Sequence, residues 1–320
     1  MYTQVHDVFE GDSIASRFEV KPSYVVSLVT LNAFMPYVFI NNKLLDSEKA
    51  TISFEDRGFR FGDGVFETIA VTSGVPYQFD WHMERLRKGL HAIKISANLH
   101  QLHEQSRRLL KENQLKNGVL RIQVTRGIGS RGYLPDSKHP KAGATIVVET
   151  MPPPPPAPES ASLIISAYEK ITAESMPVQY KLCQGLNATL ARIEATEKGA
   201  FDALLLNRDR MLCETSSGNL FWLKDGVLYT PMLSCGVLEG SMRAAVMRLS
   251  PYPVKEVKSL LSALEKAEAI FITNAIWPIV GITRIDGVSG SWTPTIPTSI
   301  KALVIKDQQH YTEANAIRWQ

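Results

Sequence analysis

Cysteine is scarce in this chain of 320 residues, and the three that occur, Cys183, Cys213 and Cys235, form no CxxC pair. So sparse and odd a set, with no histidine cluster, excludes a disulfide framework and argues against a structural zinc site. No metal site is expected, and the cysteines suit a reducing compartment such as the cytoplasm. The net charge of +3 is small and scattered, so the sequence indicates neither a nucleic-acid partner nor a membrane surface.

A long hydrophobic run is also missing. Residues 24–40 are uncharged, but polar residues and Pro36 dilute them, and they fall short of the roughly 20 residues that a membrane span needs. Acidic residues precede this stretch, so it lacks the basic start of a signal peptide. Residues 1–34 are interpreted as an extension whose order the sequence leaves open, with Met35 as the natural beginning of the folded domain. An ordinary N-terminal arm is an equal alternative.

The clearest boundary along the chain is a proline run at 152–158, PPPPPAP. Consecutive prolines fix φ and favour a stiff, extended connector. The length and the 44% hydrophobic content suit two globular domains. We therefore predict a small α/β domain at 35–150, a proline-rich linker at 151–160 and a larger domain at 161–320.

Secondary-structure patterns are mixed in both halves. Alternating or β-branched stretches predict strands at 37–40, 119–125, 144–149, 162–166, 203–206, 220–223, 227–229 and 269–273. Apolar residues at helical spacing predict helices at 81–95, 102–112 and 259–267. Asn41-Asn42 and Asp225-Gly226 predict turns, the second in a hairpin. The expected fold class is α+β.

One lysine stands at a chemically useful place. Leucines and Ile193 recur at helical spacing from Leu182 onward, which predicts a helix that begins near Lys181. A lysine there would lie in the positive field of the helix dipole, and partial burial would lower its pKa further. The resulting free amine could form a Schiff base. Taken alone, this segment better suits a solvated lysine in front of an amphipathic helix.

Three further segments could each be an ordinary turn or cap. Residues 57–68 are Gly-rich but do not fit a P-loop or dinucleotide fingerprint. Residues 212–221 place Glu214 among small polar residues just before a strand. Residues 236–243 lead into a helix whose first amides could hold an anion.

Together, in order and spacing, these segments resemble the class IV aminotransferase family, which includes branched-chain and D-amino-acid aminotransferases and 4-amino-4-deoxychorismate lyase. The resemblance extends over residues 35–282. It implies a two-domain fold-type IV enzyme that uses pyridoxal 5′-phosphate (PLP), with the cofactor in the larger domain. It also implies a homodimer, with the active site between the domains and near a subunit interface.

The resemblance also assigns roles to residues of this sequence. Lys181 matches the lysine that carries the cofactor, and Glu214 matches the acid that faces the pyridine nitrogen. Arg85 matches the arginine that pairs with the cofactor phosphate. Four more positions match phosphate contacts, at a helix start and in a second turn: Ser241, Met242, Asn274 and Ala275. Some relatives have threonine at these two places, so Met242 and Ala275 would contribute backbone contacts only.

The branch of the family is read from residues 117–133, NGVLRIQVTRGIGSRGY, which are similar to a stretch of bacterial lyases. D-amino-acid aminotransferases end this stretch in Arg-x-His, whereas this chain has Arg131-Gly132-Tyr133. Arg131 and Tyr133 are therefore expected to contact the substrate, since guanidinium pairs with a carboxylate in bidentate fashion. A surface arginine in a mobile loop is the alternative for Arg131.

The expected activity is that of a lyase that releases pyruvate from 4-amino-4-deoxychorismate and leaves 4-aminobenzoate for folate biosynthesis. An amino-acid aminotransferase acting on D-amino or branched-chain acids is the alternative. A relative with another small-molecule amine substrate, or a non-catalytic PLP-binding protein, is left as a further alternative. Lys181, Arg85 and Glu214 are all present, which disfavours the non-catalytic protein.

Overall fold

Two β-sheets and six α-helices form the part of the chain that the computed structural model describes, residues 36–136, 138–139 and 141–320. The predicted α+β class is confirmed. The predicted extension at 1–34 lies outside the described residues. No helix within the described ranges is long and apolar enough to cross a membrane.

The first sheet is antiparallel throughout, in the order β2-β1-β6-β5-β3-β4. Its strands are β1 (Tyr37–Ile40), β2 (Lys43–Asp46), β3 (Gly64–Thr72), β4 (Val75–Pro76), β5 (Gly118–Gly127) and β6 (Ala142–Met151). Three helices accompany it, α1 (Arg57–Phe61), α2 (Phe79–Ala92) and α3 (Leu102–Glu112). Apolar residues alternate along β3 and β5 and face α2 and α3, so this side of the sheet forms the first core.

The second sheet is mixed, in the order β12-β11-β10-β13-β14-β7-β8-β9. Its strands are β7 (Ser160–Ile165), β8 (Asp202–Leu206), β9 (Leu212–Thr215), β10 (Asn219–Lys224), β11 (Val227–Pro231), β12 (Val254–Val257), β13 (Ala269–Thr273) and β14 (Val280–Ile285). Strand β9 also pairs with β10 at Glu214 and Asn219, which closes six strands into a ring. The pairing fixes Glu214 beside Asn219.

Three helices belong to the second half, α4 (Leu186–Glu197), α5 (Ser241–Leu249) and α6 (Thr295–Trp319). Helix α6 contacts elements of both sheets. Its Ile300 and Val304 pack in the core beside β13, while Trp319 meets the ring of Phe79 in the first core at 4.9 Å. The C-terminal helix therefore ties the two halves together.

The proline run joins the last strand of the first sheet to the first strand of the second. The carbonyl of Pro155 accepts a hydrogen bond from the indole of Trp277 at 3.1 Å, so the connector lies against the second half. The domain boundaries at 150 and 161 stay a prediction.

Two predicted helical segments differ from the structure. Residues 259–267 contain only a 3-10 turn at Leu261–Ala263, because Leu264 alone is fully buried and Leu260 is bridged to Met211. The helix predicted to begin near Lys181 begins at Leu186, after Gly185. Leu182 is instead bridged to Val65 of β3, so Lys181 lies in extended chain.

Candidate active site

A cavity of about 440 Å³ is lined by residues from both sheets, the proline connector and the chain before α4. Every residue that the sequence analysis assigned to the cofactor is on its wall: Arg85, Lys181, Glu214, Ser241, Met242, Asn274 and Ala275. The fold thus brings together side chains that are far apart in sequence.

Lys181 projects into this cavity from the extended segment that runs along β3. The carbonyl of Lys181 accepts a hydrogen bond from Phe66 N at 2.9 Å, and its Nζ lies 4.6 Å from the centre of the Phe66 ring. Burial, reinforced by the charge of Arg85, lowers the pKa of Lys181 to about 8. Of the two predicted causes of the low pKa, burial is confirmed, whereas the helix dipole is not a cause, because the helix N-terminus is five residues away.

Arg85, on the buried face of α2, is held by the carboxylate of Glu67 in β3. Its Nε donates to Glu67 Oε1 at 2.8 Å, and a second contact joins Nη2 to Glu67 Oε2. His82 Nδ1 lies 2.6 Å from the same carboxylate. Burial alone would raise the pKa of Glu67, but Arg85 and His82 more than offset it, and the pKa falls to about 2. Arg85 therefore stands in one orientation, backed by a buried carboxylate.

Glu214, in β9, accepts three hydrogen bonds. Its Oε2 receives Asn219 Nδ2 at 2.9 Å and the amide of Leu238 at 3.0 Å. Its Oε1 lies 2.6 Å from Lys170 Nζ. A carboxylate with this many donors is held in one orientation.

The start of α5 forms an anion site on the cavity wall. Gly240 precedes the helix without a side-chain cap, and a Cβ there would lie 2.1 Å from Asn219 Oδ1. A side chain at this position would displace Asn219, and the first amides of the helix, at Ser241 and Met242, stay open to the cavity. Nearby, Asn274 Oδ1 accepts the amides of residues 276 and 277 and fixes the turn that contains Ala275.

Arg131 and Tyr133 do not line the cavity. Both are exposed, Tyr133 at 87%. Their loop is nevertheless anchored, since the buried guanidinium of Arg57 donates to the carbonyls of Gly132 and Tyr133 at 2.7 and 2.8 Å. The structure of one chain thus does not unite the two predicted substrate residues with the predicted cofactor residues.

Sequence reasoning missed Glu67, His82 and Lys170 as parts of the site. A signal existed for Glu67, because alternation along β3 puts it on the same buried face as Val65 and Ile69, where an acid requires a cation. Nothing in the sequence marked Lys170, which reaches Glu214 from the loop after β7.

The residues present fit a phosphorylated pyridine aldehyde. Open amides at the start of α5, with Arg85 beside them, suit a phosphate. Lys181 supplies an amine with a lowered pKa, and Glu214 supplies a carboxylate to face a ring nitrogen. Hydrogen bonds from neighbouring residues position Arg85 and Glu214.

Comparisons with known proteins agree with this chemistry. The model of the family described as amino-transferase class IV matches residues 64–285. Aminodeoxychorismate lyase of Bacillus subtilis (strain 168) is 27% identical over 278 residues, 84% of this chain and 94% of that protein. D-alanine aminotransferase of Listeria monocytogenes serotype 4b (strain F2365) is 31% identical over 262 residues, 78% of this chain and 88% of that protein.

A solved structure, 4-amino-4-deoxychorismate lyase of Pseudomonas aeruginosa, superposes with a TM-score of 0.73 at 25% identity, over 84% of this chain and 97% of that one. The family match spans the first sheet from β3 onward and the whole second sheet up to β14. It therefore includes the lysine, the arginine and the glutamate of the cavity. This chain belongs to the class IV aminotransferase family and is a PLP-dependent lyase or aminotransferase.

Proposed function

We propose that the protein is a lyase that converts 4-amino-4-deoxychorismate to 4-aminobenzoate and pyruvate, a step of folate biosynthesis. The observation that carries the choice is Arg131-Gly132-Tyr133, where D-amino-acid aminotransferases carry Arg-x-His. The similarity to the Bacillus subtilis lyase, over 84% of this chain, supports it. Three free cysteines support a cytoplasmic location.

Bound PLP supplies an electron sink that lowers the cost of a negative charge on the amine-bearing carbon of the substrate. Lys181 would hold the cofactor until the substrate amine takes the place of the lysine. The freed Nζ of Lys181 would then be the base that removes the proton from that carbon. With a pKa of about 8, the amine is close to the pH at which a base works best.

In the lyase reaction the electron pair left by this proton forms a double bond to the neighbouring ring carbon. The C–O bond from that carbon to the enolpyruvyl group breaks, and the ring becomes aromatic. The ammonium of Lys181 can return the proton to the methylene carbon of the departing enolpyruvate, which gives pyruvate. No oxidant, reductant or second substrate is needed. Lys181 finally displaces 4-aminobenzoate.

The cavity itself offers little to a substrate carboxylate. Among the described residues that line it, the cations are Arg85, Lys170 and Lys181. Glu67 and Glu214 neutralise the first two, and the third serves the chemistry. A carboxylate therefore needs a cation from outside this wall.

We propose that a second copy of the chain supplies that cation in a homodimer, through Arg131 of its anchored loop. Exposed aromatic side chains also occur on and just before α1, the helix whose Arg57 anchors the loop: Phe59 is 76% exposed and Phe54 70% exposed. Exposed apolar surface of this kind is typical of a subunit interface. Tyr133 would contact the substrate in the same way.

An amino-acid aminotransferase is the second candidate. The Listeria monocytogenes D-alanine aminotransferase has the higher identity, 31%, although over a smaller share of the chain. In that reaction Lys181 would move the proton to the cofactor carbon instead of allowing a leaving group to depart.

A product assay tests the choice. Purified protein is incubated with 4-amino-4-deoxychorismate alone, and in parallel with D-alanine or a branched-chain amino acid plus 2-oxoglutarate. 4-Aminobenzoate and pyruvate in the first reaction, without a keto-acid acceptor, are the expected result. Glutamate in the second reaction alone would replace the lyase by an aminotransferase.

A further inference from the structure

Besides Lys181, a second lysine lines the cavity and is not explained by the mechanism. Lys170 follows β7, and its amide donates to the carbonyl of Leu206 at 2.9 Å, which fixes the backbone beside the end of β8. Its Nζ lies 2.6 Å from Glu214 Oε1, with side-chain exposures of 15% for Lys170 and 7% for Glu214. Surface screening is weak for an ion pair this buried, so its charge acts on the site.

The two carboxylate oxygens of Glu214 therefore have different partners. Oε2 is occupied by two neutral donors, Asn219 Nδ2 and the amide of Leu238. Oε1 is held by an ammonium ion. A carboxylate that shares its charge with an ammonium is a weaker acceptor for any further donor. Glu214 paired with Lys170 would therefore stabilise a protonated ring nitrogen less than an unpaired Glu214 would.

We propose that Lys170 is a positioning residue that acts through Glu214 and limits protonation of the cofactor's ring nitrogen. This inference rests on the role of Glu214 in the proposed function and deepens it. With a less protonated ring, more of the negative charge stays on the substrate carbon. From there the electron pair can expel the neighbouring enolpyruvyl oxygen, whereas a stronger sink stores the charge and favours transfer of the proton to the cofactor carbon. Lys170 thereby favours elimination over transamination.

The direct test is the ¹⁵N resonance of PLP labelled at the ring nitrogen, bound to the wild-type protein, Lys170→Met and Lys170→Arg. Lys170→Met should move the resonance toward that of a protonated pyridine. Lys170→Arg keeps the charge and should restore the wild-type value. The other charged or titratable groups near Glu214, Lys181 and Cys213, are unchanged in all three proteins. An unmoved resonance in Lys170→Met would overturn the proposal.

Lys170→Gln serves where Lys170→Met does not bind the cofactor, since it keeps a hydrogen-bond donor without the charge. The same shift is expected. A wild-type resonance, or failure of both variants to bind PLP, would show that Lys170 has only a structural role.

A second readout counts pyruvate molecules released for each cofactor converted to pyridoxamine 5′-phosphate. The ratio should fall in Lys170→Met by about tenfold, equivalent to one pKa unit of ring protonation, and recover in Lys170→Arg. An unchanged ratio would overturn the link to elimination. The ¹⁵N measurement needs no substrate. If the protein does not act on 4-amino-4-deoxychorismate at all, the proposed function fails while the effect of Lys170 on the ring nitrogen is still decided.

Discussion

The cofactor cavity and the loop at 128–136 differ in how their side chains are held. In the cavity, Arg85 and Glu214 each have named partners within 3 Å and little exposure. In the loop the backbone is fixed by Arg57, while the side chains of Arg131 and Tyr133 point to solvent. One chain thus completes the groups that hold a cofactor, but presents the groups expected to recognise a substrate on its outside. This contrast is the reason for proposing that a second chain takes part in substrate recognition.

The two regions also differ in what a substitution would do. A buried ion pair that loses one partner leaves an uncompensated charge, so changes in the cavity should affect both stability and chemistry. An exposed side chain on an anchored loop carries little folding energy. Substitutions in the loop should weaken binding of the substrate and leave the fold intact.

The largest effect is expected from Lys181→Ala, which removes the amine of the cavity. Activity should fall by at least about 10³-fold, since both the base and the covalent anchor are lost. Borohydride reduction of the wild-type protein should trap PLP on the peptide that contains Lys181, as read by mass spectrometry. The matched control is Lys198→Ala, an exposed lysine paired with Glu194, which should keep both activity and adduct.

A trapped adduct that persists in Lys181→Ala would move the anchor to another lysine. Lys170 is then the residue to examine, because it also lines the cavity.

Glu67→Gln should produce the next largest effect, now on folding and cofactor affinity together. Removing the charge between Arg85 and His82 leaves the guanidinium without its buried counter-ion, at a cost of about 3–5 kcal/mol. Urea unfolding of the apoprotein measures the loss. Equilibrium dialysis should show weaker binding of PLP as well, because Arg85 is no longer fixed. A variant with wild-type stability and affinity would show that Glu67 is not needed to position Arg85.

These expectations show which parts of the molecule were accessible from sequence. The seven residues assigned to the cofactor were predictable because each lies in a short segment that resembles a motif of the family. Lys181 lies just ahead of a predicted helix, and Ser241 opens a helix behind a glycine whose Cβ would meet Asn219. The position of Lys181 relative to α4 was not predictable, because the periodic leucines begin in an extended segment that β3 captures by pairing.

Lys170 was not predicted as part of the site, for a different reason. Its partner Glu214 is 44 positions away, and only the pairing of β7 with β8 and of β8 with β9 brings the two together. Patterns within a short window report periodicity and turns, but not which long-range ion pairs form. The assignment of Arg131 and Tyr133 to the substrate likewise stays a prediction, because the cavity of one chain does not include them.

Arg131→Ala tests the loop directly. Loss of a charge-assisted hydrogen bond to a carboxylate should lower kcat/KM by about ten- to a hundredfold, with PLP binding and stability unchanged. Mixing this variant with Lys181→Ala sharpens the result. If the loop acts on the partner, each mixed dimer has one intact site, and refolded mixtures should recover about a quarter of wild-type activity. If Arg131 acts within its own chain, or not at all, no mixture recovers activity through a restored site.

The smallest expected effect comes from pH alone, and it separates the cavity from a solvated lysine. Lys181 has a pKa of about 8 because burial disfavours the ammonium form, so half of the amine is free base near pH 8, nearly all of it one pH unit higher, and progressively less as the pH falls. Below pH 8, the rate at which the apoprotein attaches PLP should drop about tenfold for each pH unit. Stopped-flow absorbance between pH 6 and 10 measures this, with free lysine as the reference amine. A rate that continues to rise to pH 10 would mean that Lys181 is solvated, and the cavity would then differ from the loop in shape but not in electrostatics.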